Sequence, residues 1–137
     1  LGEVYQALQT GVVDAQENTW SNIYSAKYFE VQDYLMETNH GYIGYLVAVD
    51  PNFWGGLPEE IRVGLEEVME EVTAWGNQRA EEINTIAREQ IVASNRSELI
   101  AFTNEDLAVW QEAMRPVWEQ FADGIGRDRI AAAQSVN

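Results

Sequence analysis

Apolar residues recur through the middle of the chain at alternating gaps of four and three: Ile61, Leu65, Val68, Val72 and Trp75. The same face continues through Ala80, Ile83, Ile86 or Ala87, and Ile91. This spacing gives an α-helix one apolar stripe. Leu57-Pro58-Glu59-Glu60 marks its start, since proline suits the first helical position and the two acids complement the helix dipole. The pattern predicts one helix from Pro58 to about Ala93, roughly 54 Å long at 1.5 Å per residue. Gly64 and Gly76 weaken it locally, and Gly76 is the expected place for a bend.

The flanking segments read as shorter elements. Val4, Tyr5 and Leu8 predict a helix over residues 2–9, stopped by Gly11. Val12-Val13 reads as a short buried strand, and Asp14 to Asn18 as a polar turn. A second helix is predicted from Thr19 to about Val31, with Asn18 or Thr19 as its N-cap. Tyr34 to Thr38 is weakly extended. Gly41 to Val49, rich in aromatic and β-branched residues, predicts a strand. Asp50-Pro51-Asn52 breaks it, and Phe53-Trp54 reads as a helical turn. Ser97 to Phe102 predicts another strand. Thr103 to Asp106 then resembles a capping box ahead of a helix carrying Leu107, Trp110, Met114, Val117, Trp118 and Phe121. Pro116 is expected to kink or split that helix. Gly124 and Gly126 end it, and Arg127 to Gln134 predicts a last short helix. The fold class is α/β and helix-rich, a single unit with a few short strands and no internal repeat. Trp75, Trp110 and Trp118 fall on apolar helix faces and are expected in the core.

Composition narrows the function more than the fold. The 137 residues are 46% hydrophobic, too apolar for a disordered chain. They allow one domain or a piece of a larger one. Eight basic against 23 acidic residues give a net charge of −15. Such a surface repels phosphate backbones and anionic leaflets, which argues against nucleic-acid or membrane-surface partners. There is no cysteine, so disulfides, thiolate zinc sites and thiol catalysis are excluded. The longest apolar run, Tyr42 to Val49, is far short of the roughly 20 residues of a membrane span. The chain opens on Leu1, with no charged-then-apolar leader, already inside a helical pattern. That predicts a piece of a longer protein.

Candidate chemistry is sparse. His40 is the only histidine and reads as a strand-edge residue with a backbone partner; it has no companions spaced for a metal. The acid pairs Glu59-Glu60, Glu66-Glu67, Glu70-Glu71 and Glu81-Glu82 recur with the period of the long helix. They read as its solvated face, without the apolar surroundings that catalytic carboxyls need. No phosphate-binding glycine loop or nucleophile elbow is present. Enzymatic activity, a metal and a cofactor therefore find no support. The turn Gln16-Glu17-Asn18-Thr19 is different. Asn18 offers both a donor and an acceptor just ahead of a helix N-terminus, where it serves either as a cap or as a contact for an anionic ligand.

The run Glu3-Val-Tyr-Gln-Ala-Leu-Gln-Thr-Gly-Val-Val-Asp-Ala-Gln-Glu-Asn18, continued by Ser21-Asn22-Ile23-Tyr24, resembles the DctP-type solute-binding proteins of tripartite ATP-independent periplasmic (TRAP) transporters. Thr38-Asn39-His40-Gly41-Tyr42 and Phe53-Trp54 ahead of Leu57-Pro58 follow the same family order. Ala15 stands where the family usually has glycine, and Thr19 where it has proline. The likeness covers essentially the whole chain but only the C-terminal part of family members, which are longer. It implies most of one lobe of a two-lobed periplasmic binding protein, with a long helix, about residues 58–93, spanning both lobes. The first lobe, the signal peptide and the arginine that pairs with the substrate carboxylate lie upstream. By the same resemblance, Asn18 touches an organic acid, a dicarboxylate or sugar acid, near its carboxylate. Leu1 falls where some members place an aromatic cleft residue, and the start of the Gly41 strand borders the cleft. The receptor passes its ligand to ion-driven TRAP membrane subunits and changes no bond.

A second reading belongs to another class: a helical module whose long stripe pairs with a partner helix or with a second copy. On either reading, apolar faces left without cover predict self-association of this chain.

Overall fold

The Leu57-Pro58-Glu59-Glu60 signal opens a helix that runs unbroken from Glu59 to Ser94 in the computed structural model, which describes residues 2–135. Pro58 occupies the N-cap position and Gly76 sits inside the helix without interrupting it. The helix ends at Asn95, whose φ of 52° is left-handed, a conformation asparagine tolerates better than most residues. The paired acids lie exposed along it. On this outer face Glu82 accepts hydrogen bonds from Arg79 Nη1 at 2.9 Å and Gln78 Nε2 at 3.1 Å. These two bonds, the arginine's first, hold its carboxyl below the usual range.

In chain order the elements are α1 (Val4–Gln9), α2 (Trp20–Ser25), a 3₁₀ turn (Tyr28–Glu30), β1 (Tyr34–Glu37), α3 (Pro51–Gly56), α4 (Glu59–Ser94), β2 (Glu98–Ala101), α5 (Asn104–Ile125) and α6 (Arg127–Gln134). β1 and β2 pair as a two-stranded sheet. The chain divides into two compact units where the sequence reads as one. The first holds the residues up to Leu35 together with Asn39–Leu99; the second holds Met36–Thr38 and the residues from Ile100 onward.

The first unit is built on a small apolar cluster of Leu8, Ile23, Tyr28, Phe29, Leu35 and Ile91, flanked by Val4, Tyr5, Trp20 and Leu99. The second helix is shorter than its spacing predicts because Lys27 adopts a left-handed conformation, φ 58°. That reversal turns the chain into the 3₁₀ turn, buries Tyr28 completely and stacks Phe29 on Tyr24 at 5.9 Å between ring centroids. Ser97 then closes the unit: its Oγ lies 2.8 Å from the Phe29 carbonyl and 2.7 Å from that of Gln32. Next to it, the Glu98 N–H donates to Asp33 O at 2.8 Å.

Two predicted strands do not form. Gly11, at φ 70°, folds the chain back on α1, so the N–H groups of Val12 and Val13 both bond the Ala7 carbonyl, at 2.8 and 3.3 Å. A chain bent back in this way cannot enter a ladder, and both valines are exposed. Gly41 to Val49 is irregular and exposed throughout, with Leu46 97% accessible. A strand exists through its ladder partner, and no other described segment pairs with this one. By contrast, the Asp50 break works as its residues suggest: its carboxylate caps α3, accepting from Asn52 N and Phe53 N at 2.9 and 3.0 Å.

In the second unit Thr103 and Asp106 form a reciprocal capping box. Asp106 accepts from Thr103 N at 2.9 Å, and Thr103 Oγ1 accepts from Asp106 N at 3.2 Å. Hydrogen bonds from the Thr103 hydroxyl and then its backbone hold the Asp106 carboxyl below the ordinary aspartate range. Pro116 does not split α5, which is continuous across it. The Glu112 carbonyl that loses its donor lies on an exposed stretch, where water can serve it. Gly126, at φ 100°, turns α5 into α6 around the buried Ala122. Arg127 reaches back to Glu119 at 2.7 Å.

The expected tryptophan core is not there. Trp75 is 66% and Trp110 50% exposed, while Trp118 is half-buried. Their helix faces are apolar, but helical spacing specifies a face and not its cover.

Candidate functional site

The bend ahead of α2 places a half-buried asparagine under unusual control. Thr19 is extended and occupies the N-cap position, yet its side chain makes no cap bond. Asn18 does not cap the helix either. Its Oδ1 accepts from the Thr19 N–H at 3.1 Å and from Asn22 Nδ2 at 2.6 Å. A backbone N–H can only donate, so the atom facing Thr19 must be the amide oxygen. The NH₂ group lies on the opposite side of the amide and makes no hydrogen bond among the described residues. Asn18 thus presents donors, the complement of a carboxylate or carbonyl oxygen.

The cap for α2 comes from the long helix. Asn84 Oδ1 accepts the N–H of Ser21, second residue of α2, at 3.0 Å, while Asn84 Nδ2 donates to Ala80 O at 2.9 Å. Ser21 Oγ and Thr19 Oγ1 lie 3.2 Å apart. One helical turn beyond Asn84, the Arg88 guanidinium stands 5.8 Å from the Trp20 ring centroid, a cation–π arrangement. Sequence reasoning missed Asn84 and Asn22. The available signal was an asparagine, a weak helix former, inside a helix otherwise rich in Glu and Ala.

Around the bend, Gln16 donates through Nε2 to Gln32 Oε1 at 3.3 Å, and its own Oε1 is buried without a partner. His40 sits on no strand edge. Its Nε2 lies 3.4 Å from Glu17 Oε2 with both side chains exposed, which brings the residues before Gly41 beside the neighbour of Asn18. Leu1 lies outside the described residues. No group of three or more His, Asp or Glu side chains suited to a metal is assembled among the described residues.

Two hollows among the described residues lie away from Asn18. A hollow of about 190 Å³ belongs to the second unit, lined by residues such as Arg115, Trp118, Glu119, Arg127 and Gln134. A wider depression follows the first turns of α4, from Pro58 to Glu67. The bend is half-buried, and the Asn18 NH₂ group on it makes no hydrogen bond among the described residues.

The family model for bacterial extracellular solute-binding protein, family 7 (DctP), matches residues 1–124. The C4-dicarboxylate-binding periplasmic protein DctP of Shewanella loihica is 44% identical over 135 residues, which are 98% of this chain and 40% of that protein. A TRAP periplasmic solute-binding protein from Shewanella oneidensis, solved with bound succinate, superposes with a TM-score of 0.89 at 40% identity. The match takes in 98% of this chain and 44% of that one. Another from Pseudomonas aeruginosa, with bound L-malate, gives a TM-score of 0.78 at 39% identity over 87% of this chain and 42% of that one. The chain therefore spans about 40% of the length of the curated relatives it matches. On the breadth of that match, from the first helix through nearly all of α5, the chain belongs to the DctP family of bacterial extracellular solute-binding proteins.

Proposed function

We propose that the chain is the C-terminal part of a periplasmic receptor that binds an organic acid, with a C4-dicarboxylate as the first choice, and delivers it to TRAP membrane subunits. The observation that carries this reading is the Asn18 amide. Its oxygen is taken by Thr19 and Asn22, so it offers N–H groups from a half-buried bend. Relatives solved with succinate and L-malate supply the ligand class. A hydrogen bond from a neutral amide to an ionised carboxylate is stronger than one between neutral partners. The remaining length of the receptor completes the cleft and covers the bare stripe of α4. The protein carries its ligand and changes no bond in it.

The test is a thermal-shift screen of organic acids on the full-length protein, followed by calorimetry on Asn18→Ala. A dicarboxylate such as succinate is expected to raise the melting temperature, and Asn18→Ala to weaken its binding about 10- to 100-fold. Unchanged affinity in Asn18→Ala, or no response to any organic acid, rules the reading out.

The isolated chain is proposed to self-associate through the uncovered face of α4, where Ile61, Val68, Val72 and Trp75 are all exposed. Light scattering at micromolar concentration is expected to give a mass above that of the monomer.

A further inference from the structure

We infer that Asn84 is a positioning residue for the ligand site: it fixes the start of α2 from the long helix, and so holds the Asn18 amide with its donors outward. The inference rests on the proposed role of Asn18. Asn84 makes two bonds with unambiguous polarity, since Ser21 N–H can only donate and the Ala80 carbonyl can only accept. Its own orientation is therefore determined by the backbone on both sides. The bond to Ala80 anchors the side chain to α4, and the bond to Ser21 carries that anchor across to α2.

From Ser21 the connection to Asn18 is short. The next residue, Asn22, donates to Asn18 Oδ1 at 2.6 Å, and the Ser21 hydroxyl lies 3.2 Å from that of Thr19, whose N–H bonds the same oxygen. Both groups that set the Asn18 amide thus belong to the stretch that Asn84 clamps. Arg88, four residues on and over Trp20, grips the preceding residue from the same face of α4. Thr19, at the N-cap position, supplies no cap of its own. Without Asn84 the Ser21 N–H loses its only protein acceptor among the described residues, the first turn of α2 frays, and Asn22 no longer holds Asn18 in one orientation.

A double-mutant cycle in the full-length protein tests this, with succinate as the probe and calorimetry as the readout. Asn84→Ala is expected to weaken succinate about tenfold, and Asn84→Ala with Asn18→Ala to bind no worse than Asn18→Ala alone, because both remove the same contact. Asn84→Asp keeps an acceptor oxygen for Ser21 but loses the donor to the Ala80 carbonyl, so it is expected to recover only part of the tenfold loss, to about threefold below the parent. Measured at 0.5 M salt, where the Debye length is only about 4 Å, the added charge is largely screened from the ligand. Amide exchange at Ser21 is expected to speed up in Asn84→Ala and slow again in Asn84→Asp.

Parent-like affinity in Asn84→Ala, additive losses in the cycle, or no recovery in Asn84→Asp each overturns the inference while leaving Asn18 in place. If Asn18→Ala itself binds like the parent, or the parent does not bind succinate, the site reading has failed and this inference falls with it. Should Asn84→Ala not fold, Asn84→Asp decides alone: succinate affinity and Ser21 exchange are expected to change together, and a change in one without the other refutes the role.

Discussion

The two ends of α4 carry the same apolar period and meet opposite fates. From Ile61 to Trp75 the stripe is bare, whereas Ala87 and Ile91 are buried, Ile91 to 2% accessibility. The buried end faces Leu8, Ile23, Tyr28, Phe29 and Leu35, contributed by α1, α2, the 3₁₀ turn and β1. Nothing in the residue types separates the ends: isoleucine stands at 61 and at 91. The difference lies in what stands opposite. A helical stripe is a demand for cover, and this chain meets that demand at one end only.

The largest effect that sharpens this contrast is a paired charge insertion in the bare stretch, Leu65→Glu with Val72→Glu. In the full-length receptor, where the stripe is proposed to be covered, the pair is expected to cost about 5 kcal/mol or more, since unpaired charges are driven into an apolar contact. In the isolated chain the same pair is expected to cost little and to abolish self-association, read by light scattering. Equal tolerance in both proteins would mean that the stripe is never covered. Next comes Ile91→Ala against Ile61→Ala in the isolated chain, diluted until it is monomeric, followed by urea unfolding. The first is expected to lose about 2–5 kcal/mol and the second no more than about 0.5 kcal/mol. Similar losses would erase the distinction between the ends.

The smallest effect comes from acid. The folded-state pKa of Glu82, between the two ends, is lowered by Arg79 and Gln78. Its contribution is therefore present above the unfolded carboxylate pKa, about 4, and is lost as pH falls through the lowered folded value. Thermal unfolding of the parent and of Glu82→Gln is expected to differ slightly at pH 7 and to converge below pH 4. An exposed pair of this kind contributes little, so a large gap would mean that this face is buried in the assembled protein.

What was legible in the sequence follows from how far apart the deciding groups stand. The limits of α4 and α6, the break at Asp50, the Thr103 cap and the stop at Gly126 depend on residues within a few positions of one another, and α4 and α6 form where their spacing predicts. The segment Gly41 to Val49 reads as a strand because its side chains suit one, but a ladder needs a partner that local composition does not supply. Lys27 hid the break in the second helix, since nothing in a lysine advertises a left-handed backbone. At the site, the polar bend with Asn18 was visible, and so were its two possible roles. That Asn18 does not cap α2 was not, because it depends on Asn22 one turn away and on Asn84 across a tertiary contact. Leu1, expected in the cleft, lies outside the described residues.

The unbroken run of α4 makes it a lever. About 25 residues, or roughly 38 Å, separate Asn84 from the Glu59 end at 1.5 Å per residue. A tilt of about 5° at the gripped end sweeps the far end through about 3 Å on that length. The asparagine that grips the root stands beside the amide proposed to touch the ligand. Any tilt at that root therefore displaces the distant half of the rod farther than the root itself.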